Sequence, residues 1–203
     1  MKNIFFKTAM ALTLLFTFSA VGGELYGVHF NDQEKVDGQD LILNGMGLRS
    51  VNRWGLKIKV YVVGLYLPKK DCTVEGILKS QGPKQFLMVF KRSVDSEAIE
   101  DGWKTGFLKN CGKTCAENRE KLTQFNHFMS DMREGQKILV TVSKDKVHVK
   151  VEGRRPAEGT IEGASFADVV QRIWLGTTPP NEELKQGLIG VCEKAPAAEK
   201  KAG

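Results

Sequence analysis

The sequence predicts an α+β protein in which helices pack on one face of a mainly antiparallel sheet. The predicted elements come in the order strands, two helices, strands, two helices, which is typical of α+β folds. A turn at residues 143–146 joins two short segments of alternating pattern, as in an antiparallel hairpin. We find no internal repeat and no linker, so we expect one domain over residues 24–193.

Two long strands open the predicted sheet. They cover residues 36–49 and 56–67, and the turn between them contains Asn52 and Gly55. A period of two places on one side of the second strand Lys57, Lys59, Tyr61, Val63, Leu65 and Leu67. This side changes from basic to apolar, like the wall of a cleft with a wet end and a dry end. The alternative is an ordinary strand that frays into solvent.

Arg49 is the most unusual residue of this predicted hairpin. Its neighbourhood is apolar, and a buried charge there needs a partner. Arg49 precedes Tyr61 by twelve positions, so a hairpin can bring the guanidinium and the phenol together. A planar fork of donors beside one hydroxyl suits an anionic oxygen. The alternative is a structural ion pair of Arg49 with Asp40 or Glu97.

The remaining elements follow from caps, periodicity and turn residues. Thr73 caps a short helix over residues 73–80, and a cap within residues 93–96 starts a longer helix that ends near Asn110. A continuous apolar run over residues 84–91 predicts a central strand. Further helices are predicted at residues 117–132, 166–175 and 181–190, and further strands at residues 136–143, 146–151 and 160–162.

The two ends of the chain differ in composition from its middle. Residues 1–23 resemble a signal peptide, with Lys2 and Lys7 ahead of an apolar run and small residues before Glu24. A retained N-terminal anchor is the alternative, but the apolar run is short for a membrane span. Residues 194–203 cannot bury apolar surface, which predicts a disordered tail. We expect a periplasmic or secreted protein with no stable membrane span after cleavage.

Composition and motifs exclude several classes of function. The formal net charge of +6 is spread over the chain, without the basic, aromatic-rich stripe of nucleic-acid-binding proteins. The sequence lacks Gly-x-Ser-x-Gly and His-Glu-x-x-His, and the run Gly45-Met46-Gly47 lacks the rest of a dinucleotide fingerprint. We expect a monomer with no cofactor, no metal and no nucleic-acid partner.

Four cysteines in an exported chain predict disulfide bonds. Four cysteines allow three pairings. Cys111 and Cys115 enclose Gly112 and suit a local bridge, which leaves Cys72 with Cys192 as the second pair. A metal site is the alternative, but the Cys-x3-Cys spacing and the lack of a nearby histidine do not support it.

Five blocks of sequence form a further pattern over most of the chain after residue 40. They cover residues 43–67, 103–110, 172–176, 179–181 and 184–190, and include the runs Trp-Lys-Thr-Gly-Phe-Leu and Arg-Ile-Trp-Leu-Gly. In this order the blocks resemble the bacterial chalcone isomerase-like proteins. The resemblance implies an open-faced sandwich with a ligand cleft between the sheet and the helices.

The resemblance also implies which residues form the site. Arg49 matches the arginine that plant chalcone isomerases and the related fatty-acid-binding proteins place in the cleft. Tyr61 matches the tyrosine that, in the fatty-acid-binding relatives, joins this arginine in holding the ligand carboxylate; the isomerases have a threonine there. Trp103 stands where the isomerases have their catalytic tyrosine, and Asn110 matches their asparagine.

The differences at Tyr61 and Trp103 argue against cyclisation of a chalcone, which needs ordered hydroxyl groups around the reacting oxygens. We therefore expect a binding protein for a small amphipathic carboxylate such as a fatty acid. Its expected pocket residues are Val63, Leu65, Ile99 and Trp103. An isomerase (intramolecular lyase) with another substrate and a structural module with a filled cleft are the alternatives. If these two residues have structural roles and do not bind a ligand, Trp103 is a core residue and Asn110 is a helix cap.

Overall fold

The computed structural model describes residues 22–191. Nearly all of the predicted signal peptide, the predicted tail and Cys192 lie outside the described residues. The predictions made for these segments therefore stay predictions.

The described chain forms an antiparallel sheet with helices on one face. Two short strands, β1 (Gly23–Leu25) and β2 (Val28–Phe30), pair as a hairpin. The seven-stranded sheet comprises β3 (Gln33–Val36), β4 (Gln39–Arg53), β5 (Leu56–Leu67), β6 (Lys84–Phe90), β7 (Lys137–Val142), β8 (Lys146–Val151) and β9 (Ala157–Glu162). Each of these strands pairs antiparallel with the next one along the chain.

Within residues 22–191, five α-helices accompany the sheet, and most of the large hydrophobic core lies between the two layers. The helices are α1 (Val74–Lys79), α2 (Ser96–Asn110), α3 (Arg119–Asn126), α4 (Ala164–Leu175) and α5 (Glu182–Ile189). This architecture confirms the predicted α+β fold with helices gathered on one face of the sheet.

Side-chain caps define two of the predicted helix starts. The Thr73 hydroxyl accepts a hydrogen bond from the Gly76 amide at 3.0 Å, and the Asp95 carboxylate accepts one from the Ala98 amide at 2.7 Å. Each cap satisfies one of the amide groups that have no partner within the helix. Because only a short loop separates β6 from α2, the first turn of α2 lies beside the end of a central strand.

The helix predicted over residues 117–132 is shorter in the structure, where α3 ends at Asn126. Further along, the backbone of Met132 exchanges two hydrogen bonds with Val94, at 2.8 and 2.9 Å. This bridge uses the Met132 amide that a continuing helix would need. Met129 and Met132 are nevertheless buried in the core, on the inward side that the sequence predicts.

A smaller second core covers part of the opposite face of the sheet. Val28 and Phe30 of the β1–β2 hairpin pack there near Val62 and Tyr66 of β5. The Tyr66 hydroxyl donates a hydrogen bond to the Asn31 carbonyl at 3.0 Å. Strands β1 to β3 are not predicted from the sequence, because strands of three or four residues are too short to show a clear period.

A bulge in β5 changes which side chains face the helices. Arg49 pairs with Tyr61, but beyond this pair the register shifts by one residue, so that Val60 is extra in β5. A one-residue shift places each side chain before the bulge on the opposite face of the sheet from the one that strict alternation predicts. The prediction that Lys57 and Lys59 share the side of Tyr61 is therefore wrong. Val60 instead lines the same cavity as Tyr61.

Helix α5 packs on β4 at very short range. A Cβ atom on Gly47 would overlap the carbonyl oxygen of Leu184, and one on Gly187 would overlap the carbonyl oxygen of Met46. Glycine permits such a close approach between helix and strand backbones. The contact fixes where the residues just before α5 lie on the sheet.

The sulfur atoms of Cys111 and Cys115 lie at disulfide distance, as the sequence predicts, and the Cα atoms are 4.9 Å apart. The bridge encloses a short 3-10 turn, Gly112–Thr114, directly after α2. Gly112 has a φ of +51°, a left-handed conformation that glycine adopts readily. The pairing of Cys72 with Cys192 stays a prediction, because Cys192 lies outside the described residues.

We expect Gly47→Ala to destabilise the protein by about 1–3 kcal/mol, since the added methyl group forces α5 away from β4. Gly102→Ala is the matched control, because a Cβ atom at this helical position meets no atom within 4 Å. The control should stabilise the protein by about 0.5–1 kcal/mol through helix propensity. Urea unfolding of both variants is the measurement, and equal shifts would contradict the close packing of α5 on β4.

Candidate functional site

A cavity of about 430 Å³ lies between the sheet and helices α2 and α4. Its apolar lining consists of Val51, Ile58, Val60, Met88, Phe90, Val94, Ile99, Trp103, Ile173 and Trp174. Its polar and charged lining includes Arg49, Arg53, Tyr61, Arg92, Ser93 and Asp95. The volume lies within the range of small-ligand pockets, about 300–1,000 Å³. An amphipathic molecule matches this combination of walls.

Arg49 is partly buried in the cavity wall and is anchored through one nitrogen. Its Nη1 donates to the carbonyl oxygens of Pro180 at 2.6 Å and Ser50 at 3.0 Å, with the Asn181 side-chain oxygen at 3.4 Å. Within residues 22–191, neither Nη2 nor Nε donates to a protein group. Part of the guanidinium fork is therefore available to a ligand.

The positive charge of Arg49 has no carboxylate partner in the described part of the chain. Asp40, one of the expected structural partners, pairs instead with Lys35 at 3.4 Å. Glu97, the other expected partner, forms no ion pair among the described residues. The carbonyl contacts hold the guanidinium in place but leave its charge uncompensated, which favours an anionic ligand.

Tyr61 lies directly opposite Arg49 in the β4–β5 ladder. Its hydroxyl oxygen accepts a hydrogen bond from the indole nitrogen of Trp174 at 3.3 Å. No group of residues 22–191 accepts the hydroxyl proton, so the phenol can donate into the cavity. Burial raises the pKa of Tyr61, and the Trp174 hydrogen bond and the Arg49 charge only partly oppose it. Tyr61 is therefore a neutral donor at physiological pH.

Trp103 is both a core residue and part of the cavity wall. It is 5 % exposed, and its ring meets Phe125 and Trp174 edge to face, with centroids 4.8 and 5.2 Å apart. This packing agrees with the structural interpretation of the residue. No described residue accepts a hydrogen bond from its indole N–H. The indole N–H is therefore another donor that a ligand in the cavity can use.

Asn110 does not lie on the cavity wall, although the resemblance placed it in the site. Its side-chain amide donates to the carbonyl oxygens of Gly106 at 2.9 Å and Thr178 at 3.2 Å. These hydrogen bonds connect the end of α2 to the loop before α5. This role is similar to that of a helix cap, which is the structural interpretation of Asn110. Val63 and Leu65, which we expected in the pocket, are fully buried in the core instead.

Two further arginines of the site are not predictable from the sequence. Arg53 and Arg92 line the cavity, are exposed, and form no ion pair with any described carboxylate. Asp95 contributes a carboxylate to the lining, but this carboxylate accepts a hydrogen bond from the Ala98 amide as the N-cap of α2. The polar part of the cavity is therefore strongly positive. Isolated arginines at strand ends carry no motif, and only the register of β4, β5 and β6 brings them together.

A second cavity of about 270 Å³ lies between α1, the β7–β8 turn and the start of α4. Its wall is mostly polar and includes Lys84, whose ammonium donates to the Ser80 carbonyl at 3.1 Å. Burial lowers the pKa of Lys84, and the nearby Asp168 partly opposes this shift. Because it lacks an apolar wall, this cavity does not fit an amphipathic ligand.

Residues 22–191 contain no cluster of three or more His, Cys, Asp or Glu side chains arranged to hold a metal ion. Over the same residues, no helix is long and apolar enough to cross a membrane.

Comparison with known proteins agrees with this geometry. The family model described as chalcone isomerase-like matches residues 22–190. The chain belongs to the chalcone isomerase-like family. Membership confirms the resemblance to chalcone isomerase-like proteins that the sequence blocks indicate. No curated protein sequence matches the chain.

Among solved structures, the chain is similar to the Arabidopsis thaliana fatty-acid binding protein AtFAP1, with a TM-score of 0.61 and 15 % sequence identity. The match covers 80 % of this chain and 92 % of AtFAP1. At this identity the similarity shows a common fold. It confirms the chalcone isomerase-like fold that the resemblance implies.

We expect the free energy of unfolding to fall as the pH rises above about 10, the ordinary pKa of tyrosine. Burial raises the pKa of both Tyr61 and Tyr66, so the folded state holds these protons more tightly than the unfolded state. Their contribution to stability is complete below the unfolded pKa and is lost as the pH rises through the folded pKa.

Chemical denaturation between neutral and strongly alkaline pH measures this fall. The fall should be smaller in Tyr61→Phe and in Tyr66→Phe than in the wild type, because each variant lacks one of the two phenols. If the three proteins lose stability in parallel, the phenols are not protected in the folded state.

Proposed function

We propose that the protein binds a small amphipathic carboxylate, such as a fatty acid, in the cavity between the sheet and the helices. Arg49 and Tyr61 hold the carboxylate, and the hydrocarbon tail lies along the apolar wall. One observation carries the proposal: the charge of Arg49 has no described carboxylate partner and lies opposite a neutral phenol donor at one side of an apolar cavity.

The head group fits because the available donors converge. Arg49 offers the part of its fork that the Pro180 carbonyl does not use, and Tyr61 offers a hydroxyl proton. Hydrogen bonds from a guanidinium to a carboxylate are charge-assisted and stronger than neutral ones. Arg53 and Arg92 add positive charge that attracts an anion to the cavity.

The tail fits because the rest of the lining is apolar. Side chains from β5, β6, α2 and α4 form this wall, with Met88, Ile99 and Ile173 among them. Each buried methylene group contributes about 0.8 kcal/mol. Affinity should therefore increase with chain length until the tail fills the cavity.

The structural relative supports this proposal. AtFAP1 is a fatty-acid binding protein with the same fold. An isomerase has less support here, because the aromatic polar groups that line the cavity are hydrogen-bond donors: a neutral phenol and indole N–H groups. The raised pKa of Tyr61 opposes its action as a base near neutral pH.

We also propose that the protein is exported. The support is the signal-like pattern of residues 1–23 together with the Cys111–Cys115 bridge, since disulfides persist in oxidising compartments. In a periplasmic or extracellular space the protein would carry its ligand outside the cytoplasm.

We expect Arg49→Ala to weaken dodecanoate binding by about 1.5–3 kcal/mol, the usual contribution of a hydrogen bond to a charged group. Tyr61→Phe should weaken it by about 0.5–1.5 kcal/mol, because it removes one neutral donor. Isothermal titration calorimetry is the measurement. Arg133→Ala is the matched control, because it removes the same charge from an exposed position outside the cavity.

Arg49→Gln separates binding from folding. Glutamine keeps a donor for the Pro180 carbonyl but removes the charge. This variant should therefore show the circular dichroism spectrum of the folded wild type but bind dodecanoate more weakly than the wild type does. If folded Arg49→Ala and Arg49→Gln proteins bind dodecanoate as tightly as the wild type, Arg49 does not hold the head group.

A further inference from the structure

The turn between β4 and β5 exposes two large apolar side chains. Trp54 is 90 % exposed and Leu56 is 69 % exposed. Single exposed apolar residues are common on soluble proteins. Here two of them lie at the tip of one hairpin, which defines a surface that we call the Trp54 tip, comprising Arg53, Trp54, Gly55 and Leu56.

The backbone of the Trp54 tip does not favour tryptophan. Trp54 and Gly55 have φ values of +50° and +78°, the left-handed pair of a two-residue hairpin turn. Asparagine, aspartate or glycine suits the first of these positions, whereas other residues are destabilised there by roughly 1–2 kcal/mol. The indole is 90 % exposed and makes no buried contact that offsets this cost, and strain of this kind points to a functional role.

The Trp54 tip carries a positive charge. The Arg53 guanidinium carbon lies 5.1 Å from the centroid of the Trp54 ring. Arg53 and the exposed Arg92 have no carboxylate partner among residues 22–191. An indole and a leucine beside the uncompensated Arg53, with Arg92 lining the same cavity as Arg53, suit the boundary between the head groups and the acyl chains of an anionic membrane.

The Trp54 tip also adjoins the ligand cavity. Val51 and Ile58 flank the tip on β4 and β5, and both line the cavity together with Arg53. Whatever surface the tip contacts therefore lies next to one side of the cavity. A fatty acid is a molecule that partitions into bilayers, so a bilayer is a direct source of such a ligand.

We propose that the Trp54 tip docks on an anionic lipid surface and brings the cavity to the membrane. Trp54 and Leu56 enter the interfacial layer, and Arg53 and Arg92 contact the anionic head groups. This inference rests on the proposed function, because it names where the ligand is collected or delivered. A folded protein partner is less suited, since two side chains at a hairpin tip cannot form an interface of about 800 Å² per partner.

The test uses co-sedimentation of the protein with vesicles of phosphatidylglycerol and phosphatidylethanolamine, and with vesicles of phosphatidylcholine. The wild type should bind the anionic vesicles, and added salt should weaken binding because it screens the arginines. Trp54→Asn should lower the affinity for anionic vesicles about tenfold, since burial of a large aromatic side chain contributes on this scale. Asparagine suits the turn, so the fold should be retained.

Leu108→Asn is the matched control, because Leu108 is a 56 % exposed apolar residue on α2 outside the cavity wall. It should bind anionic vesicles like the wild type. Equal vesicle binding by Trp54→Asn and the wild type, or no wild-type binding to anionic vesicles, overturns the proposal. Capture of a protein partner through Trp54 without vesicle binding overturns it as well.

Dodecanoate binding in solution distinguishes the two proposals. Trp54→Asn should bind dodecanoate with unchanged affinity, because Trp54 is not part of the cavity wall. Intact dodecanoate binding without vesicle binding rejects only the membrane inference. Failure of the wild type to bind dodecanoate rejects the proposed function.

Discussion

The hydrogen bond from Arg49 to the Pro180 carbonyl, at 2.6 Å, links the sheet to the segment before α5 and orients the positive charge of the site. A partly buried charge is destabilised unless it finds an opposite charge. The described carboxylates do not supply one, and carbonyl oxygens compensate only part of the charge. A ligand carboxylate would complete the compensation, so binding and folding stability are coupled at this residue.

The packing around Arg49 explains how the contact is maintained. Gly47 and Gly187 let α5 approach β4 closely, which holds Pro180 within reach of the guanidinium. The bulge at Val60 then adds a second effect, because it turns apolar side chains of β5 into the space beside Tyr61. A tight helix contact and a strand irregularity thus produce the polar and apolar parts of one cavity.

Much of this arrangement is predictable from local sequence signals. The caps and the long strands follow from residue types and local patterns. The register set at the turn would place Val60 opposite Arg49, so the pairing of Arg49 with Tyr61 depends on the bulge at Val60. The bulge does not follow from local patterns, because no residue there marks it and a one-residue shift is decided by tertiary packing. For the same reason the sequence did not show Arg92 beside the site or Asn110 outside it.

A crystal structure of the protein with dodecanoate tests the central claim most directly. We expect the carboxylate within hydrogen-bonding distance of both the Arg49 guanidinium and the Tyr61 hydroxyl, with the tail along Met88, Ile99 and Ile173. A ligand bound elsewhere, or one whose carboxylate lies away from Arg49 with the tail in solvent, would contradict it.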